Sequence, residues 1–385
     1  MRILTPEQQA IKQAATEFVA KHIIPNAAKY DKSGEFHPFL VEAAKESKVF
    51  VMGLPKEYGG LGYDGISQAV VLEAWSYGCA GMGTTLGASM LSTDSLLVAG
   101  TDEQKRRYFK PLVEGGLAAF GLTEAVSGSD AGAAKTTAVK VGDEYVLNGS
   151  KCFITNGAYA DMFVIFASTD PSAGLKGMSA FIVERGRPGF TIGTVEHKLG
   201  IRSSNTVELL LKDVRIPAAN LLGKEGYGMV IAMKTLDMAR PPVGCCSVGI
   251  AQRVLDECVK YVQNTYTGKN YPGQALQFKL ADMQIQIDAA REYAYHAMDL
   301  RDAGIPYSKE SAICKTFCAD TCMRVSAMAV NLLGSYAYTS EIHKFMRDSK
   351  IMQIYEGTNQ IQRLVISRAV LTPAPAAGAA QKAGK

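Results

Sequence analysis

No apolar run in this sequence reaches the twenty or so residues that a helix needs to cross a bilayer. No secretory leader opens it either, because Met1-Arg-Ile-Leu-Thr-Pro runs straight into a polar amphipathic segment. A cytoplasmic protein without a membrane anchor is the expectation. Basic clusters are scarce. No Lys/Arg run exceeds Lys105-Arg-Arg107, and a net charge of +4 is small for 385 residues. That argues against a nucleic-acid partner, and the triplet reads as a solvated helix face. Histidine is also sparse, with five in all and none near Cys314, Cys318 and Cys322. Three thiols spread over two helical turns without a histidine make a poor metal site, so this stripe reads as helix packing. The eight cysteines sit in mostly apolar surroundings and, without a leader, read as reduced buried thiols. No Gly-Lys-Ser/Thr completes a P-loop, no Rossmann glycine spacing occurs, and there is no internal repeat.

What is present is a change of period along a chain long enough to bury a large core. Residues 5–117 read as helical, with Thr5 as cap and Pro6 in the first turn, followed by Ile11, Ala15, Phe18 and Val19 at helical spacing. From Gly121 to about Pro217 the pattern is that of strands, and Asn148-Gly149 between apolar runs reads as a hairpin turn. Helical periodicity returns from Gly228 to Leu371, and the Ala/Gly/Pro-rich end reads as a disordered tail. The expected domains are therefore 1–120, 121–227 and 228–371, with a tail over 372–385.

Two segments carry chemistry. Gly121-Leu-Thr-Glu-Ala-Val-Ser-Gly-Ser-Asp-Ala-Gly-Ala133 is rich in small residues and hydroxyls, so its backbone N–H groups can meet phosphate oxygens. Ile351-Met-Gln-Ile-Tyr-Glu-Gly-Thr-Asn-Gln-Ile-Gln-Arg363 places Glu356 in a tight turn between apolar-periodic segments, and Gly357 permits close approach. In an apolar cleft that carboxylate would gain basicity by desolvation; on the surface it would be an ordinary solvated Glu.

Together these segments resemble the acyl-CoA dehydrogenase family of flavoenzymes. The family's Gly-Leu-Thr-Glu…Gly-Ser-Asp signature matches Gly121 to Asp130, although the usual Pro-x-Ala is Ala125-Val126-Ser127. Lys151-Cys-Phe-Ile-Thr-Asn-Gly157 and Tyr355-Glu-Gly-Thr-Asn-Gln-Ile-Gln-Arg363 match two further segments. Leu54-Pro-Lys-Glu-Tyr-Gly-Gly60, Asp213-Val-Arg-Ile-Pro217 and Phe278-Lys-Leu-Ala-Asp282 are further landmarks in the family's order, and the likeness runs from about Leu4 to Leu371.

The resemblance implies an α+β fold: an N-terminal helical domain, a middle antiparallel β-domain and a C-terminal four-helix bundle. It implies FAD between the last two, and a homotetramer. The implied reaction takes an acyl-CoA to the enoyl-CoA, the α-proton going to a base and the β-hydride to flavin N5, with an electron-transfer flavoprotein as acceptor. Glu356 matches the base, and its N–H would help hold the thioester carbonyl. The alternative base of some relatives falls at Ala239, which cannot serve. By the same likeness Leu122, Thr123, Ser129, Phe153, Thr155, Gln274, Asn331, Ser335, Thr358 and Gln360 would bind FAD. Ser129, Thr93, Asp237, Arg240, Tyr355 and Gly357 would meet the substrate. Asp237 and Arg240 read equally as a helix-surface ion pair.

Departures from the pattern are informative. The family's Arg-x-x-Phe-Gly after the first bundle helix has no counterpart in Tyr261–Gly273, where Lys269 is the available substitute. Gln-x-x-Gly-Gly-x-Gly is replaced by Asn331-Leu-Leu-Gly-Ser-Tyr-Ala337. Both changes fall on the family's grip on the ADP half of FAD across a subunit boundary, so that grip is expected to be altered or weaker. In the helix expected to line the acyl pocket, Asp94 would be out of place against a plain fatty chain. It reads as a second proton acceptor for an alicyclic or otherwise non-fatty acyl group. The plainer reading makes Ser92, Thr93, Asp94 and Ser95 backbone hydrogen-bonders. Enoyl-CoA reduction in reverse, a non-catalytic relative and an oxygen-using oxidase are the competing functions.

Overall fold

The computed structural model describes residues 2–266 and 272–372, with the backbone alone of residues 38–40. Lys269, and all of the expected tail except Thr372, lie outside these residues. The first helix, α1 (Pro6–Phe18), opens with a reciprocal cap: the Thr5 side chain accepts the Gln8 N–H while the Gln8 side chain accepts the Thr5 N–H. A π-turn leads into α2 (Ile24–Ser33), and α3 (Pro38–Lys45) follows. The next two, α4 (Gly65–Gly78) and α5 (Ala80–Ala99), are buried around most of their circumference, as central helices must be. A second Thr/Gln capping box, Thr101 with Gln104, starts α6 (Asp102–Val113).

The strands are β1 (Leu117–Gly121), β2 (Thr137–Val141), β3 (Glu144–Thr155), β4 (Ala160–Ser168), β5 (Met178–Glu184), β6 (Phe190–Val195), β7 (Thr206–Pro217) and β8 (Leu221–Leu222). Their order is β6-β7-β3-β2-β4-β5-β8, with β1 beside β4. Pairing is antiparallel except at β1–β4 and a single β2–β4 contact. Both β4 and β5 are buried on both faces, which is why they read as unbroken apolar runs.

The hairpin expected at Asn148-Gly149 is not there. The chain turns at Gly142-Asp143, between the paired residues Val141 and Glu144, with Gly142 at φ 60°. Asn148-Gly149 lies inside β3 as a bulge, where the register with β7 shifts. The Asn148 side chain and Asp213 exchange hydrogen bonds of 3.1 and 2.9 Å across that bulge. The left-handed freedom that suits Asn-Gly to a turn suits it equally to a bulge.

The C-terminal helices are α7 (Gly228–Thr265), α8 (Gln274–Asp302), α9 (Ser308–Leu333), α10 (Ser335–Thr339), α11 (Ile342–Met352) and α12 (Asn359–Leu371). Pro241 and Pro242 sit inside α7. Pro241 has no N–H to give the Asp237 carbonyl; Ser311 of α9 supplies that hydrogen bond from its hydroxyl at 2.8 Å. Cys314, Cys318 and Cys322 are free thiols buried in the bundle core, as the packing reading of that stripe requires. Among the described residues, no helix is long and apolar enough to cross a membrane.

Candidate active site

The Tyr-Glu-Gly-Thr turn joins α11 to α12. Glu356 has φ 57° and Gly357 φ 88°. A left-handed glutamate is strained by about 1 kcal/mol or more and persists only where neighbours fix it. They do so from several sides. Gln362 Nε2 donates to the carbonyls of Glu356 and Gly357, each at 3.0 Å. Lys315 Nζ, reaching from α9, donates to the Gly357 carbonyl at 2.8 Å and to Asn359 Oδ1 at 2.9 Å. Asn359 Nδ2 and Gln353 Nε2 both donate to Asp320 at 2.7 Å, and Arg363 pairs with the same carboxylate at 3.0 Å. Thr358 caps α12 by accepting the Ile361 N–H. The polar residues of this segment thus hold the turn, while Glu356 Oε2 is buried with no hydrogen-bond partner. The Glu356 N–H has no acceptor among the described residues.

That carboxyl faces a cavity with about 840 Å³ of empty space, counting its open mouth. The loop after β1 contributes Thr123, β3 contributes Phe153 and Thr155, helix α5 contributes Leu91 and Asp94, and α7 contributes Leu236, Ala239 and Cys246. Burial pushes Glu356 up to about 7, against the downward pull of Lys315 and Arg240, and Asp94 adds to the rise. Although the residue as a whole is only half-buried, its acid group looks into this narrow apolar space, so desolvation dominates. Asp94 is likewise pushed to about 7 by burial, opposed by Arg301.

Of the residues expected at the site, Glu356, Asp94, Thr123, Phe153, Thr155 and Tyr355 line this one cavity, and Ala239 is in its wall. Phe153 is 63% exposed at φ 57°, an unusual setting for an apolar ring. The hydroxyls of Thr123 and Thr155 meet no hydrogen-bond partner among the described residues. An exposed aromatic face beside two free hydroxyls, in a cavity that also holds a carboxyl raised to about 7, is a cradle that fits a planar heteroaromatic ring such as a flavin. Leu122 buries its side chain and gives its carbonyl to Lys151. Ser129, Gln274, Asn331, Ser335 and Gln360 stand exposed and take no part in the cavity wall. Thr93 turns its hydroxyl onto the Met90 carbonyl at 2.8 Å and is also outside the wall. Ser92 and Ser95 bond their own helix as well. The backbone reading therefore holds for these three hydroxyls, whereas Asp94 faces the cavity. Gly357 is engaged through its carbonyl. Asp237 and Arg240 do pair, but Arg240 is buried, so this is no surface ion pair. Ser308 also donates to Asp237, while Arg240 Nε is left without a partner.

Two features escaped sequence reasoning. Glu124, inside the Gly-Leu-Thr-Glu segment, forms a buried ion pair with Lys151 at 2.6 Å and accepts the N–H groups of Lys135 and Thr136. Cys152 N–H donates to the Thr123 carbonyl at 3.0 Å. These contacts clamp the segment after β1, which carries Thr123, beside β3, which carries Thr155. The second is Lys315. Its signal was available, since Ser311, Lys315, Cys318 and Cys322 follow helical spacing and put a lysine on the buried stripe of α9.

Three domain models match the chain: acyl-CoA dehydrogenase N-terminal domain at residues 5–116, middle domain at 119–214 and C-terminal domain at 226–371. An acryloyl-CoA reductase (NADH) of Anaerotignum propionicum is 43% identical over 375 residues, covering 96% of this chain and 95% of its own. The solved butyryl-CoA dehydrogenase of Megasphaera elsdenii superposes with a TM-score of 0.94 at 40% identity, covering 97% of this chain and all of its own. A chain in a structure of the electron transferring flavoprotein of Acidaminococcus fermentans gives a TM-score of 0.94 at 44% identity, with coverage of 97% and 100%.

Proposed function

The chain belongs to the acyl-CoA dehydrogenase family, and from that premise we propose that it removes the α and β hydrogens of a short acyl-CoA thioester, with FAD as its cofactor and Glu356 as the base. The observation that carries the reading is the unpartnered Glu356 carboxyl facing the Thr123–Phe153–Thr155 cradle across one apolar cavity. Thr123, Phe153 and Thr155 are the residues that would hold the flavin ring, which when bound supplies the acceptor for the β-hydride. Glu356 takes the α-proton. An acyl α-proton is very weakly acidic, so the base must be fixed, dry and near neutral in pKa, and the thioester carbonyl must be polarised. The free Glu356 N–H is placed on the same turn to bond that carbonyl oxygen. The family likeness supports a CoA-side role for Asp237 and Arg240, which lie just behind the Leu236–Ala239 wall rather than in it.

The electron transferring flavoprotein of the Acidaminococcus structure supports an acceptor of that class. The family likeness supports a homotetramer in the cytoplasm, with Gln274, Asn331, Ser335, Thr358 and Gln360 on the adenosine side of FAD. The acryloyl-CoA reductase relative favours a second reading, in which the same residues reduce an enoyl-CoA and Glu356 returns the α-proton. Asp94, facing Glu356's cavity, is proposed as a second proton acceptor for an alicyclic acyl group. The test is anaerobic mixing of FAD-loaded protein with butyryl-, octanoyl- and cyclohexanecarboxyl-CoA while following oxidised-flavin absorbance. Bleaching by butyryl-CoA is expected. A cyclic preference that vanishes in Asp94→Asn supports the second base, and no bleaching with any thioester overturns the dehydrogenase reading.

A further inference from the structure

Three lysines of the described residues are almost fully buried, and they are not alike. Lys151 has the Glu124 carboxylate at 2.6 Å, and Lys344 has Asp348 at 2.6 Å. Lys315 is as buried as either, yet its ammonium meets only neutral oxygens, the Gly357 carbonyl and Asn359 Oδ1. A buried cation without a contacting anion is costly to retain, so its place asks for a use. It stands one peptide beyond Glu356 and does not line the cavity.

We propose that Lys315 is a positioning residue for the base: anchored on the Gly357 carbonyl, it fixes the left-handed turn and supplies the positive field in which Glu356 ionises. This rests on Glu356 being the base. The anion that Lys315 lacks in contact is supplied at a distance by Glu356, the foremost charge opposing the effect of burial on this lysine. Burial lowers Lys315 to about 7, and Lys315 is in turn the first charge that opposes the rise of Glu356. The other charges facing Glu356 are Arg240 from α7, which is spent mainly on Asp237, and Asp94 from α5, which acts in the opposite sense. Those facing Lys315 are Arg240 and Asp320, and Asp320 is already engaged by Asn359, Gln353 and Arg363. A contacting carboxylate at Lys315 would cancel its field. The neutral acceptors leave that field directed at the turn.

The test separates charge from hydrogen bonding. Lys315→Gln keeps a donor for the Gly357 carbonyl and removes the charge; Lys315→Arg keeps the charge. The protonated-carboxyl infrared band assigned to Glu356, by subtraction of Glu356→Gln, is titrated in each background of FAD-loaded protein. This reads the base without turnover, so it stands even if no thioester is oxidised, whereas flavin bleaching in wild type tests the dehydrogenase reading separately. The expected result is a midpoint raised by about one to three pH units in Lys315→Gln and near wild type in Lys315→Arg, with the acid limb of kcat moving in parallel and KM little changed. A folded Lys315→Gln with an unmoved midpoint overturns the proposal. If Lys315→Gln does not fold, Lys315→Arg decides: a wild-type midpoint upholds the role of charge, and a midpoint raised as far as expected for loss of the charge overturns it.

Discussion

The β-domain and the bundle each set a buried lysine near a glutamate from one of the chain's most informative motifs, and they use the two in opposite ways. At Glu124–Lys151 the two groups touch at 2.6 Å, with backbone N–H groups completing the carboxylate. Burial opposes ionisation there, yet Lys151 and the N–H donors hold Glu124 below its ordinary value. At Glu356–Lys315 the pair is kept apart by the Gly357 peptide, the carboxyl is left without a partner, and burial wins, raising it to about 7. Contact makes a clamp; separation leaves a raised, unpartnered carboxyl, the group we propose as the base. The same residue types become structure or chemistry according to whether the carboxylate's hydrogen-bonding capacity is filled from within.

The largest expected effect strikes the clamp. Lys151→Met leaves Glu124 buried without its cation and should cost about 3–5 kcal/mol of stability, as loss of one partner of a buried pair does. Urea unfolding of the FAD-loaded protein measures it, and a loss below about 1 kcal/mol, the scale of a surface pair, would erase the contrast. Next is pH. Because the folded pKa of Glu356 is raised from 4.5 to about 7, its basic form appears as pH rises through about 7. Below that midpoint kcat should fall about tenfold per pH unit. The linkage runs the other way for stability. Between about pH 4.5 and 7 the folded protein keeps a proton that the unfolded chain releases, so Glu356's contribution to stability declines as pH rises across that window. Glu356→Gln should flatten that segment of a stability–pH curve. If wild type and Glu356→Gln give the same slope, the carboxyl is not the titrating group. A smaller effect is expected at Asp94. Asp94→Asn should change butyryl-CoA turnover by less than about threefold, a shift of under 1 kcal/mol in the barrier, while a cyclic substrate loses far more. Equal changes for both would reduce Asp94 to a neutral part of the wall. The mildest concerns retention of FAD. The altered Tyr261–Gly273 and Asn331–Ala337 segments should let flavin leave during gel filtration without added FAD, and full retention would count against a weakened grip.

Much of this was legible in the sequence because it depends on local pattern. Helical periodicity, the Thr5–Gln8 cap and the alternation of strands are written within a few residues of one another. The Glu356 turn was legible between two apolar-periodic segments, but only the family likeness chose a buried carboxyl over a solvated one. Asn148-Gly149 misled because a bulge and a hairpin ask for the same backbone freedom, and only β7, far along the chain, decides between them. The Glu124–Lys151 clamp and Lys315 were illegible in that way too. Each joins segments distant in sequence, and a lysine's burial follows from what packs around it. The buried stripe Ser311, Lys315, Cys318 and Cys322 carried a trace of it, hidden by attention to its cysteines. The exposed Gln274, Asn331, Ser335 and Gln360 owe their place to family likeness alone, and nothing within one chain gathers them into the cavity.

The most direct test of the partnerless carboxyl as base is a single anaerobic turnover of wild type against Glu356→Gln, both FAD-loaded, mixed with butyryl-CoA while flavin absorbance is followed. Wild type should bleach. The variant should perturb the flavin spectrum on binding, as wild type does, and then stay oxidised, with reduction slowed by at least about a hundredfold, the scale of a lost general base. Reduction of the variant at a rate close to wild type would contradict the assignment and leave the raised carboxyl without its role.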